Sequence, residues 1–197
     1  QFGEIHKNPT DHLATIGIMC HELGHLMFNL PDLYDTTPED KGDSYGVGYF
    51  DLMGSGNWGA ATSDPSTGIY AGSSPTLLSA WSKEYLGWGT VNTISTNQQI
   101  SLPKSDGNPP SIFRINTTDT NQYFLMENRQ FSGYDTGFKR RAGTAGHGGL
   151  AIYHIDKLKT DLWLGTNTVN ADETDKGVDV EEANEGSLGY SMLDTNK

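Results

Sequence analysis

The chain has a single cysteine, Cys20, in 197 residues, so no disulfide can form within it and its core must be held without covalent cross-links. Bases are scarce as well: 13 Lys and Arg stand against 25 Asp and Glu, a formal net charge of -12. A surface of that sign repels phosphate backbones and anionic lipid, which argues against a nucleic-acid partner. Long apolar runs are missing. No stretch reaches the roughly 18 to 20 apolar residues of a membrane span, and the opening QFGEIHKNPT lacks the charged-then-apolar form of a signal peptide. Repeats and low-complexity tracts are absent too. With 35% hydrophobic and 19% charged residues, the composition is that of a globular, loop-rich chain with one core and an acidic tail.

From Thr10 onward Leu13, Ile16, Gly17, Met19, Cys20, Leu23, Gly24, Met27 and Phe28 recur at helical spacing, which predicts an amphipathic, largely buried helix capped by Thr10 or Asp11. Cys20 reads as a core residue within it. Gly17 and Gly24 weaken helix propensity and make sense where another backbone packs close, while Asn29 offers a left-handed stop and Pro31 bars continuation. Residues 31–74 are rich in Gly, Asp, Ser, Thr and Pro and read as long ordered loops, a length that usually serves a site. A second helix is predicted in SPTLLSAWSKEYLGWG, with Ser74 as cap, Pro75 in the first turn and Gly87 at the end. Beyond Val91, QQISLP, SIFRIN, QYFLMENRQ and GGLAIYHID predict a small, mostly antiparallel sheet. The tail from Asn167 holds one short element, in GVDVEEANEG.

The first helix carries His21-Glu22-Leu23-Gly24-His25. Two histidines four apart share one helix face, and a glutamate beside the first can lean to the open side of a zinc ion as general base. Two histidines and a glutamate on a buried helix would be costly without such a partner. The third ligand is expected at Asp32. The pattern His-Glu-x-x-His-x-x-Gly-x-x-His or Asp is kept here with one inserted residue: Phe28 stands at the glycine position, and Asn29, which tolerates a left-handed turn, follows it. Asp35 is the fallback, and Glu84 is the candidate for a thermolysin-like arrangement.

The chain resembles the M6 peptidases typified by bacterial immune inhibitor A, through NLPDLYD after the zinc helix, GYFDLMGSGNWG, SPTLLSAWSKEYLGW, YFLMENR, GLAIYHID and VEEA in family order. The resemblance implies a secreted, bacterial, extracellular zinc endopeptidase acting on proteins and peptides, with Met53 in a metzincin-type Met-turn as an apolar floor below the metal. It implies an α+β fold: zinc helix, Met-turn loops and second helix in residues 1–90 as part of a catalytic domain, then a β-rich continuation in 91–197. It also implies a sheet upstream of the zinc helix, so the expected partner is an upstream segment or second chain of the same precursor. Where some metzincins place an oxyanion-binding Tyr two residues after the Met, this chain has Ser55; Tyr34, Tyr49 and Tyr70 are the alternatives. His6, His12, His147 and His154 read as packed or hydrogen-bonded histidines. The acids Asp40, Asp43, Asp51, Asp64, Asp172, Asp175, Asp179, Glu181 and Glu182 are calcium candidates, none in EF-hand spacing. A module that keeps a structural zinc without catalysis is the rival from another class; Glu22 argues against it, because a structural site needs no base.

Overall fold

In the computed structural model the described residues are 5–6, 12–37, 44–62, 65–107, 109–142, 148–162, 166–172 and 174–181. Two-residue strands β1 (Ile5–His6) and β2 (His12–Leu13) pair antiparallel ahead of helix α1 (Ile16–Phe28). Loops and short 3₁₀ turns, among them Gly48–Phe50 and Ser55–Trp58, lead to α2 (Ala80–Tyr85). Then come β3 (Thr90–Ile94), β4 (Ser111–Asn116), β5 (Gln122–Arg129), α3 (Lys139–Ala142), β6 (Gly149–Asp156), α4 (Lys157–Leu162) and β7 (Val178–Val180). The five later strands form one sheet in sequence order, antiparallel except for the parallel edge pair β3–β4. The α+β expectation and the mostly antiparallel sheet both hold. Among the described residues no helix is long and apolar enough to cross a membrane.

Alternation decides which face of the sheet is covered. Tyr123, Leu125, Glu127 and Arg129 of β5 are all buried, as are Ala151, Tyr153 and Ile155 of β6 and Val178 and Val180 of β7. The hydrophobic ones share one core with Leu30, Leu33, Val47, Phe50, Met53 and Trp81 from the first half of the chain. A buried ionic cluster crosses the same boundary. Arg129 donates to both carboxylate oxygens of Asp135, each at 2.7 Å, to Glu127 at 3.0 Å and to the Phe50 carbonyl at 2.7 Å. Lys83 reaches Glu127 at 2.6 Å, and the Tyr153 hydroxyl donates to it at 2.7 Å. Burial alone would raise the Glu127 carboxyl; Arg129 and Lys83 beside it hold it below the ordinary range.

Several expectations are corrected. Helix α1 begins at Ile16 after Thr15, which makes no side-chain cap bond; Thr10 and Asp11 lie outside the described residues. Nor is α1 largely buried. Only Gly17, His21 and Gly24 are, whereas Ile16, Met19, Leu23, Met27 and Leu26, the last 82% exposed, face outward, and Cys20 is half-buried instead of in the core. Helix α2 starts after Ser79, not Ser74, because the backbone before it is pinned in extended form. Ser74 and Thr76 donate to Gly59 and Gly56, Leu77 to Asp135 and Ser79 to Asp51. Ser79 then caps the helix through Ser82 N–H. QQISLP forms no strand; Thr90–Ile94 instead pairs with β4, and Lys104, just after QQISLP, bridges to Asn128 of β5.

The glycine expectation holds with one refinement. At Gly17 the neighbour is backbone: a Cβ there would stand 1.8 Å from the Asn57 carbonyl oxygen. At Gly24 it is a side chain, the Met53 sulfur. Gly17→Ala is therefore expected to destabilise the fold by about 1–3 kcal/mol or more through overpacking, read as a lowered midpoint in chemical denaturation. A midpoint equal to wild type would contradict the close approach.

Candidate active site

The C-terminus of α1 builds the site. Asn29 adopts the left-handed conformation, φ 55°, with its N–H on the His25 carbonyl at 3.0 Å, and the Leu30 N–H returns to Gly24 at 3.2 Å. The chain thus reverses, and Asp32 comes back against the helix face it has just left. His21 Nε2 lies 3.0 Å from Asp32 Oδ1, His25 Nε2 lies 3.2 Å from the same oxygen, and the two Nε2 atoms are 3.1 Å apart.

The other ring nitrogens settle what these three atoms are. His21 Nδ1 donates to the Leu52 carbonyl at 2.9 Å and His25 Nδ1 to the Leu30 carbonyl at 2.6 Å. A carbonyl only accepts, so both Nδ1 atoms carry hydrogen and each neutral ring presents a bare Nε2 lone pair. Three lone-pair atoms then face one another with no donor among them. Either a proton or a metal cation has to occupy that space. For a metal with bonds of about 2.0–2.1 Å at tetrahedral angles, neighbouring ligand atoms stand about 3.3 Å apart, close to the spacing found. The donor set, two imidazoles and a carboxylate, is the chemistry zinc takes, so the residues fit the ion. Among the described residues this is the only group of three or more His, Cys, Asp or Glu gathered closely enough to hold a metal.

Charge follows the same geometry. Burial pushes the His21 imidazole down, but its hydrogen bonds to Asp32 and the Leu52 carbonyl, with the negative charge of Asp32 and Glu22, raise it above its ordinary value. Burial would raise Asp32; hydrogen bonds from His21 and Asn167 and the charge of His25 and His21 hold it below the usual carboxylate range. Burial and the adjacent Asp32 push the Tyr34 phenol up to about 12. The Tyr34 ring stacks near His21, centroids 6.4 Å apart, so of the three tyrosines considered it is the one beside this cluster. Tyr49 lies instead with its hydroxyl 3.4 Å from Arg140 Nε.

Met53 is fully buried, its sulfur against Gly24 between the two histidine turns, and its carbonyl accepts the Leu33 N–H at 2.9 Å. Asp51 organises that loop: Oδ1 accepts from Met53 N–H at 2.7 Å, and Oδ2 from Ser79 N–H and the Ser82 hydroxyl at 2.8 and 2.6 Å. Glu22 is exposed on the next position of α1 and borders a cleft with His21. Asp35 lines the same cleft, outside the three-atom cluster. Glu84 is engaged elsewhere, by Arg114 at 3.1 Å and the Tyr123 hydroxyl at 2.9 Å.

One partner has no sequence signal. Asn167 clamps Asp32 by two hydrogen bonds, side-chain N–H to Oδ2 at 2.6 Å and side-chain oxygen from the Asp32 N–H at 2.7 Å. Asn170 continues the brace, donating to the Leu33 carbonyl at 3.2 Å. His154 is a packed histidine as expected, stacked on Phe124, and His6 and His12 are paired positions of β1 and β2. His147, Asp40, Asp43, Asp64 and Glu182 lie outside the described residues. The remaining calcium candidates do not gather: Asp51 serves the loop, Asp172 accepts from Thr174, Asp175 pairs with Lys159 and Asp179 with Lys176.

Residues 6–90 match the model of the immune inhibitor A peptidase M6 catalytic domain. Over that segment, under half of the chain, the sequence is similar to the M6 peptidases. It is 30% identical over 109 residues to the pre-pro-metalloprotease PrtV of Vibrio cholerae serotype O1, in strain M66-2 and equally in strain ATCC 39315 / El Tor Inaba N16961. The match covers 55% of this chain and 11% of those relatives, so the chain spans about a tenth of their length. No solved structure matches it. The matched segment takes in α1, Asp32, the Met53 loop and α2, all the residues of the cluster except its Asn167 brace.

Proposed function

We propose that this segment, similar to the M6 peptidases, is the zinc-binding part of a secreted bacterial endopeptidase of that family, with His21, His25 and Asp32 as ligands and Glu22 as general base. The observation that carries the reading is the convergence of Nε2, Nε2 and Oδ1 with both Nδ1 hydrogens turned away to carbonyls. A zinc ion held there supplies a Lewis acid for the scissile carbonyl and lowers the pKa of water in the open position. Glu22 takes the proton from the attacking water and passes it to the leaving amine, with no covalent intermediate. Tyr34, protonated, beside His21 and hydrogen-bonded to Asp32, is the group we assign to the developing oxyanion, which would take that hydrogen bond over from Asp32. Met53 forms the apolar floor, and Asn167 holds the Asp32 carboxylate in its bonding orientation.

Glu84 is a poor third ligand, since both its oxygens already have partners. Export is supported by the relatives' description as pre-pro-metalloproteases. The exposed apolar flank of α1, Ile16, Met19, Leu23, Leu26 and Met27, supports a covering segment of the same precursor.

The test is acidification. In the metal-free protein the raised His21 pKa contributes stability that is full below its ordinary value of 6.5 and lost as pH rises through the folded pKa. The lowered Asp32 pKa contributes stability present above its ordinary value of 3.8 and lost as pH falls through its folded pKa. Between these limits the protonated pair is the metal's competitor. Zinc content and peptide hydrolysis in the full-length protein are therefore expected to fall together as pH drops through the His21 pKa. Loss of hydrolysis with zinc fully retained would contradict the assignment.

A further inference from the structure

The cleft beside Glu22 has a volume of about 520 Å³ and holds two acceptors with nothing to accept from. Asp35 is 4% exposed and Asn57 7%, and both line the cleft. The Asp35 Oδ1 takes the Thr37 N–H and hydroxyl, each at 2.8 Å, while its Oδ2 has no hydrogen-bond partner; neither has the side-chain oxygen of Asn57. A buried oxygen without a donor is costly, and a buried carboxylate oxygen more so. The described lining residues include no Lys or Arg. Tyr45 and Trp58, both exposed, stand at the same cleft and offer aromatic faces to an alkyl stem and to a cation. A cleft with two carboxylates, an unpaired buried carboxylate oxygen, no cationic side chain among its described lining and aromatic walls is complementary to a long side chain ending in a charged donor.

We propose that this cleft recognises a lysine or arginine of the substrate next to the scissile bond, with Asp35 as the residue that selects it and Asn57 as its second acceptor. The inference rests on the peptidase reading above, and the net charge of -12 adds attraction for basic substrates at long range.

Two measurements on the full-length protein test it. The first is binding to the zinc-loaded Glu22→Gln variant, by calorimetry, of peptides that differ only in arginine against citrulline and lysine against norleucine. The basic member is expected to bind at least tenfold more tightly, and Asp35→Asn in the same background to bring the ratio close to one; Asn57→Leu should reduce it. The second is the kcat/KM profile of the unmodified enzyme over the same peptides, which needs no variant to fold and should show the same preference. A binding preference without hydrolysis would uphold the cleft assignment and sink the peptidase reading. Equal affinity for basic and neutral peptides overturns the proposal, whatever the hydrolysis. So does stoichiometric calcium uptake lost in Asp35→Asn without any basic preference, which would make the cleft a cation site.

Discussion

Glu22→Gln is expected to lower peptide hydrolysis by about 10²–10⁴-fold or more while zinc stays bound. The glutamate lies on the exposed side of α1, next to the buried His21 but outside the three-atom cluster, so the amide leaves the proposed ligand geometry intact. Gln has nearly the same size and removes only the proton acceptor. The comparison is kcat/KM with zinc stoichiometry on the same samples. A variant that loses zinc would place Glu22 among the ligands, and one that keeps full hydrolysis would remove it from the mechanism.

Arg129→Met is expected to cost about 3–5 kcal/mol, a large share of the roughly 5–15 kcal/mol that holds a domain folded. Arg129 is 1% exposed and serves two carboxylates, Glu127 and Asp135, together with carbonyls on the Phe50 and Leu77 side of the site. Removing the guanidinium leaves Asp135 buried without its cation, and the Phe50 carbonyl without a donor, two residues before Leu52 accepts from His21. Destabilisation should therefore spread to the metal site: urea denaturation should show a lower midpoint, and zinc affinity should weaken although no ligand has changed. Arg129→Lys, which keeps charge but not the fork, should lie between. A midpoint within experimental error of wild type would show that the cluster does not hold the loop.

What the sequence showed of the site was local. The spacing of His21 and His25, the left-handed Asn29 and the following Asp32 all sit within one turn and its reversal, where residue type constrains backbone directly. Strands β4, β5 and β6 were legible for the same reason, because alternation is a local signal. What could not be read depends on which distant groups meet. Asn167 reaches Asp32 across 135 positions, and an asparagine in a turn-rich acidic stretch reads as a loop residue. The start of α2 was misplaced because Ser74 and Pro75 have good capping chemistry, yet the backbone N–H groups of Ser74, Thr76, Leu77 and Ser79 are committed to Gly59, Gly56 and the Asp135 and Asp51 carboxylates. The exposure of α1 was hidden too, since an apolar flank predicts burial without naming what covers it.

The central claim is that Asp32, returned by the Asn29 turn, completes the metal site. The most direct measurement is zinc content after dialysis of the full-length protein in two single variants, Asp32→Ala and Glu84→Ala, beside wild type. The account predicts one zinc per chain in wild type and in Glu84→Ala, whose lost partners Arg114 and Tyr123 are not ligands, and little or none in Asp32→Ala. Zinc retained in Asp32→Ala and lost in Glu84→Ala would contradict it.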